Sequence, residues 1–437
     1  MLKGKTVAPL TLGCKVNQYE TDGMIELLKE AGMTAVSFEE KADVYLINTC
    51  SVTNMADKKS RQMIHRAKKL NPDAVVIAAG CYVQAAKDKL MEDDRISIII
   101  GNNKKKDIVQ ILEDYLEIGV TDEGMLDIAA EKEYEPLTIN STLEHTRAYV
   151  KIQDGCNQFC SYCIIPYVRG RIRSRELASI TEEVERLAQT GVKEIVLTGI
   201  HISSYGKDKE NEVGLADVID AISKIESIER IRLGSLEPGI ITDTFIDRIV
   251  DNKKVCPHFH LSLQSGCNTV LKRMNRKYTC EEYFEKCEML REAFDRPALT
   301  TDVIVGFPGE TDEEFQETVD YLTKLNLYEM HIFKFSPRQG TVAAGMRDQI
   351  GPEIKNQRSD VLLALSEKNK HAYEASFRGE TLEVLVEEKV RRNGKNGYRG
   401  HTERYIDIFV EEECMHRICG READIINHIV QIPYGME

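Results

Sequence analysis

Asp154-Gly155-Cys156-Asn157-Gln158-Phe159-Cys160-Ser161-Tyr162-Cys163 sets three cysteines in a C-x3-C-x2-C spacing just after Tyr149–Gln153, a stretch that reads as a β-strand. Thiolates so closely spaced on a loop suit an iron–sulfur cluster, which is held by cysteine sulfur. With a 4Fe–4S cube, three protein ligands leave one iron open to bind something, as an open position separates catalytic from structural metal sites. Zinc is the competing reading. It asks for a fourth Cys or His in a local knuckle, and none follows within the next dozen residues.

Downstream of this loop the strand pattern repeats at Glu194–Thr198, Arg230–Leu233, His260–Leu263, Thr301–Val305 and His331–Phe335, with helical stretches Ile180–Thr190, Cys280–Phe294 and Glu313–Leu325 between them. Together with Tyr149–Gln153 these strands predict an incomplete parallel (βα)6 barrel whose site lies at the carboxyl rim. Upstream, Val7–Leu12, Val44–Asn48, Val75–Ala79 and Ile96–Ile100 alternate with amphipathic stretches such as Gln18–Lys29 and Met55–Leu70, which predicts an open parallel sheet covered by helices. Cys14, Cys50 and Cys81 stand at or just past the ends of three of those strands. Loops at the carboxyl edge of such a sheet converge on one crevice, so these distant cysteines are expected together. One of them alone would read as a small buried hydrophobe.

A polar stretch, Glu131–Thr146, reads as a linker, and Glu353–Glu374 as a charged helical connector. Beyond it, Thr381–Glu388, Tyr398–Thr402, Tyr405–Glu412 and Ile429–Pro433 look like short strands, with Asn393-Gly394 and Asn396-Gly397 as turns. They predict a small all-β barrel, a fold often used for single-stranded nucleic acid. The fold class is therefore α/β with a small all-β tail, divided as 1–130, 145–375 and 376–437.

Hydrophobic residues make up 42% and charged residues 30% of the 437-residue chain, an ordinary soluble composition. No apolar run reaches the roughly 20 residues that span a bilayer, and the N-terminus lacks a signal-peptide pattern, so a cytoplasmic protein with no membrane partner is expected. In that compartment the 12 cysteines point to metal or redox chemistry rather than disulfides. Cys256, Cys267, Cys280, Cys287, Cys414 and Cys419 have no metal-like spacing and read as free or core thiols. The net charge of −14 argues against non-specific coating of nucleic acid. A local footprint is still open: Arg169, Arg171, Arg173 and Arg175 would share one side of an extended strand, either to meet RNA phosphate or a cofactor carboxylate or, equally, as a solvated or salt-bridged face. In the tail, nine Lys and Arg stand against twelve Asp and Glu, which leaves Arg391, Arg392, Lys395, Arg399 and Arg404 as candidates for RNA phosphate.

The middle segment resembles the radical S-adenosylmethionine (radical SAM) superfamily in its cysteine triplet, in Pro166-Tyr-Val-Arg-Gly170, in Gln264-Ser-Gly266 and in Gly306-Phe-Pro-Gly-Glu310. The resemblance implies that Cys156, Cys160 and Cys163 hold the radical-generating 4Fe–4S cluster, and that Gly199, Gln264, Ser265, Gly306, Gly309 and Glu310 border the SAM pocket. In that family SAM chelates the open iron and is cleaved reductively to methionine and a 5′-deoxyadenosyl radical. Adding Gly13-Cys14-Lys-Val-Asn17, Asn48-Thr-Cys50 and Gly80-Cys81, nearly the whole chain is similar to the methylthiotransferases. That resemblance implies a second 4Fe–4S cluster on Cys14, Cys50 and Cys81, a TRAM-like RNA-binding tail, and two SAM molecules per product.

Gly-Cys-Lys-Val-Asn-Gln-Tyr-Glu (13–20) resembles the branch acting on N6-threonylcarbamoyladenosine at tRNA position 37. Isopentenyladenosine tRNA and a ribosomal-protein aspartate are the alternatives within the family. The implied partners are tRNA, an electron donor such as flavodoxin or ferredoxin, and a sulfur donor. A non-catalytic iron–sulfur RNA-binding redox sensor is the reading of another class, and three ligands rather than four argue against it.

Overall fold

A computed structural model describes residues 1–119, 125–140, 146–210, 213–420 and 424–435. The first sheet is parallel, in the order β2-β1-β3-β4-β5, from β1 (Thr6–Thr11), β2 (Thr34–Ala35), β3 (Val44–Thr49), β4 (Val75–Gly80) and β5 (Ile98–Ile100). β3 is buried along its whole length, as a strand covered by helices on both faces must be. Helix α1 (Lys15–Glu30) leaves the end of β1, and the helix Asn54–Leu70, capped by the Thr53 hydroxyl, follows β3.

The middle strands are β6 (Arg147–Asp154), β7 (Arg173–Ser174), β8 (Glu194–Gly199), β9 (Arg230–Leu233), β10 (His258–His260), β11 (Ala298–Val305) and β12 (Glu329–Lys334). They form two sheets, β7-β6-β8-β9 and β10-β11-β12. Isolated parallel bridges Ile231–Val255 and Leu236–Leu261 span the seam, giving six parallel strands in one curved wall. On β6, Ala148, Val150 and Ile152 pack outward with Ile180 and Val184 of the helix Leu177–Gln189. Alternation then turns Arg147, Tyr149, Lys151 and Gln153 inward. The interior of this wall is polar, and that is unusual for a core.

The tail is a four-stranded antiparallel sheet, a half-barrel in the order β15-β14-β13-β16, from β13 (Thr381–Arg392), β14 (Lys395–Thr402), β15 (Asp407–Glu411) and β16 (Ile429–Pro433). Only one of the two expected turns is a turn. Asn393 and Gly394 have φ of 51° and 83° and close the β13–β14 hairpin. Asn396 and Gly397 lie inside β14, paired with Arg391 and Val390. A Cβ on Gly397 would meet the Val410 carbonyl oxygen at 2.4 Å and the Phe409 ring at 2.6 Å, so glycine serves close strand packing there. The helix Glu412–Cys419 was not expected. The strand expected at His260–Leu263 begins two residues earlier, at His258. Part of the expected linker, residues 141–145, lies outside the described residues.

The arginine stripe does not form. Arg169 ends the short helix Ile165–Arg169, and Arg169, Arg173 and Arg175 are buried, while Arg171 alone is exposed. Carboxylates from other elements draw the three inward, so Arg169 is not a surface for RNA phosphate.

Candidate iron–sulfur centre

The loop after β6 is held by backbone constraints. Gly155 has φ 70°, and a Cβ there would lie 1.8 Å from the Arg171 carbonyl oxygen, a collision no side chain survives. Cys156 N–H donates to the Gly170 carbonyl at 3.0 Å and Cys163 N–H to that of Cys160 at 2.9 Å. Arg276 Nη1 lies 3.1 Å from Cys160 Sγ, while its Nη2 donates to both Glu237 oxygens at 2.7 and 2.8 Å. His201 Nε2 is 3.4 Å from Gln158 Nε2 and 3.8 Å from Glu237. Burial, and then the neighbouring thiols, push Cys156 up to about 11 and Cys163 up to about 12. Loading a metal here must therefore release protons.

The other three cysteines meet at the carboxyl edge of the first sheet. A Cβ on Gly13 would sit 2.8 Å from Cys50 Sγ, and one on Gly80 would sit 2.4 Å from Asn48 Oδ1. The Cys14 thiol accepts no capping hydrogen bond from the first turn of α1, which carries no acid, so the positive end of that helix faces the thiols. Cys50 is pushed up to about 12 by burial and then by Cys81 and Cys14, whose charges reach it. Arg338, from the loop beyond β12, donates to Ser51 Oγ (2.9 Å), Asn54 Oδ1 (2.7 Å) and Asp57 Oδ2 (2.6 Å), locking the segment after Cys50 onto the barrel.

Between the two triplets lies a buried ion cluster that sequence reading missed. Arg169 Nε points at Cys81 Sγ (3.2 Å), its Nη2 at Asn17 Oδ1 (2.7 Å) and its Nη1 at Glu20 (2.8 Å) and Asp154 (3.1 Å). Lys105 reaches Glu20 at 2.8 Å, Lys151 reaches Glu20 and Asp154 at 2.7 Å each, and Arg173 stands 3.7 Å from Asp154. Four cations thus surround two carboxylates, and among the described residues Nε and Nη2 of Arg173 have no hydrogen-bond partner. Nearby Glu135 is pushed upward by burial, toward the neutral acid. A buried surplus of positive charge touching a cysteine suits an anionic, thiolate-held cluster. The donor set fits the iron–sulfur groups. The legible signal was Lys151, a lysine at an inward position in the middle of β6.

The expected SAM-pocket residues sit at the carboxyl ends of the strands. Gly199 ends β8, and Gln264, at φ 76°, donates its N–H to the Asp302 carbonyl. Ser265 is buried, Gly306 and Gly309 have φ of 69° and 72°, and Glu310 accepts from Gly306 N–H at 2.7 Å while pairing with Arg358 at 2.6 Å. Glu310 thereby shapes the loop. Inside the wall, His260, Asp302 and His331 bring nitrogen and oxygen atoms within 4.8 Å of one another. Cys256, Cys267, Cys280 and Cys287 are buried in the barrel domain.

A three-thiol loop at the end of the first strand of a six-stranded parallel wall defines a radical SAM iron–sulfur enzyme. Residues 150–322 match the Radical SAM superfamily, and residues 6–101 match the Uncharacterized protein family UPF0004. The chain is 42% identical to a threonylcarbamoyladenosine tRNA methylthiotransferase of Bacillus subtilis, over 92% of this chain and 90% of that one. It is 41% identical to its counterpart in Aquifex aeolicus (92% and 96%) and 36% identical to a tRNA-2-methylthio-N(6)-dimethylallyladenosine synthase of Thermodesulfovibrio yellowstonii (93% and 94%). The chain belongs to the radical SAM methylthiotransferases, and S-adenosylmethionine and 4Fe–4S clusters are its cofactors. In fold it is similar to the radical SAM methyltransferase TsrM of Kitasatospora setae, at a TM-score of 0.57, 16% identity, and coverage of 78% and 77%.

Proposed function

We propose that this enzyme converts N6-threonylcarbamoyladenosine at position 37 of tRNA to its 2-methylthio derivative, with Cys156, Cys160 and Cys163 holding one cluster and Cys14, Cys50 and Cys81 the other. The observation that carries the chemistry is Arg169. It follows Cys163 by six residues and touches the Cys81 thiol, so both triplets border one interface. The clusters and SAM together supply the radical and the sulfur needed at a carbon too inert for acid–base chemistry. The chain's own residues position and shield them: Gly199, Gln264, Ser265, Gly306 and Gly309 would border SAM at the strand ends, Glu310 braces their loop, and Arg276 with Glu237 holds the Cys160 thiol.

The threonylcarbamoyl substrate is supported by the two relatives at 42% and 41% identity, both named for it, whereas at 36% relatives of both names occur. We divide the chain as 1–130, 145–375 and 376–437, place it in the cytoplasm, and take flavodoxin or ferredoxin and a sulfur donor as its partners. Mass spectrometry of tRNA nucleosides from a deletion strain tests the substrate. Loss of the methylthio threonylcarbamoyl nucleoside alone is the expected result, and loss of the isopentenyl product instead, or no tRNA change, overturns it.

The tail would touch the tRNA backbone. Lys395 is paired with Glu411 at 2.5 Å and Arg392 stands 3.8 Å from Asp407, while Arg391 Nε donates to the Gly394 carbonyl at 3.3 Å. Contacts of this kind give affinity without base selection. Changing Arg391 and Arg392 together to Ala should weaken tRNA binding and flatten its log–log salt dependence by about 1 to 2 units of slope. Superimposed binding curves for wild type and variant would remove this hairpin, and with it Lys395, from the RNA footprint. Arg171, exposed over the Phe159 ring at 4.5 Å, is the candidate on the barrel rim.

A further inference from the structure

Lys15 follows Cys14 directly and opens α1. Its ammonium lies 5.9 Å from the ring centroid of Tyr149, on the inward face of β6. Among the described residues no carboxylate pairs with it. The acids around it are taken: Glu194 holds Arg232 at 2.7 Å, and Glu387 holds Arg147 at 3.2 Å and His401 at 3.1 Å. Asp302 stands 3.4 Å from His260. Arg147 and Arg232 lie 5.1 and 4.9 Å from the Tyr405 ring, and Arg232 is further saturated by the Thr402 and Glu403 carbonyls. The positive charge converges. Burial and then Arg232, Lys15, His260 and His331 hold His258 well below the ordinary imidazole range. Lys15 is thus a solvent-reaching cation, beside two satisfied arginines, with no counter-ion of its own.

We propose that Lys15 receives the free carboxylate of the substrate's threonylcarbamoyl group and so determines which modified adenosine the enzyme accepts. This rests on the substrate assignment made above. Carbon 2 of the base must come to the cysteine edge, where Cys14 stands. The substituent on N6 then carries its carboxylate away from that edge, as the lysine stem carries its ammonium away from Cys14. A dimethylallyl group in the same place offers no charge and would leave the ammonium unpaired and desolvated, which is costly.

The test uses the full chain, reconstituted anaerobically, and anticodon stem-loop RNAs carrying threonylcarbamoyladenosine, its methyl ester, or dimethylallyladenosine. Wild type should prefer the free acid over the ester by about 10- to 100-fold in kcat/KM. Lys15→Met, with wild-type iron content, should bring that ratio close to one, and Lys15→Arg should restore most of it. A phosphate contact would be blind to esterification. Equal turnover of acid and ester by wild type, or an unchanged ratio in iron-replete Lys15→Met, overturns the proposal while the substrate assignment stands. Wild type that ignores threonylcarbamoyl RNA but modifies dimethylallyl RNA overturns the substrate assignment and this proposal with it.

Discussion

Glu20→Gln should cost this protein about 3 to 5 kcal/mol, the range for removing one partner of a buried ion pair, although the substitution is nearly isosteric. Glu20 is fully buried on α1, and Lys105, Lys151 and Arg169 all converge on its carboxylate within 2.8 Å. Burial alone would raise its pKa, but the coulombic pull of Arg169, Lys105 and Lys151 outweighs it and holds the carboxyl well below the ordinary range. A carboxylate depressed in the folded state stabilises at any pH above its unfolded value, and that contribution is lost as pH falls through the folded one. The gap between wild type and Glu20→Gln should therefore be full at pH 7 and narrow in strong acid. Urea midpoints at the two pH values measure it. A gap below about 1 kcal/mol at neutral pH, typical of a surface pair, would mean the cluster is not the keystone of this interface.

Separating the two cysteine triplets should separate two activities. Wild type reconstituted without oxygen should carry about eight irons if each triplet holds one 4Fe–4S cube. Changing Cys156, Cys160 and Cys163 together to Ala should remove about half of that iron, with all reductive cleavage of SAM. Cys50→Ala should keep SAM cleavage, since the barrel loop is untouched, yet make no methylthio product. Iron assay, 5′-deoxyadenosine yield and product mass spectra read the three quantities. A wild type near four irons, or Cys50→Ala that loses SAM cleavage while binding SAM normally, refutes the division of labour.

Much of this could be read along the chain because the signals are local. β-branched runs ended by Gly, Asn or Cys located β1, β3, β4 and β5, and the strands at Arg230–Leu233 and Ile429–Pro433 were expected at their observed bounds. Where the reading failed, two local signals competed. Asn393-Gly394 and Asn396-Gly397 each qualify as a hairpin turn, and strand pairing selected the first. Alternating arginines from 169 to 175 look like a surface stripe until partners far away in sequence claim them.

The sequence alone determined the order of the main strands, the placement of Cys14, Cys50 and Cys81 at strand ends and of Cys156, Cys160 and Cys163 on the loop after β6, and the class of chemistry, because spacing and periodicity are properties of neighbours. Only the tertiary structure decided that Arg169 is buried against the thiol of Cys81, and that Lys15 is left without a counter-ion among the described residues. Arg169 and Glu20 are 149 residues apart, as Cys81 and Arg169 are 88 apart. Whether a charge is paired, buried or free depends on what the fold brings within a few ångströms of it, and no window along the chain contains that information.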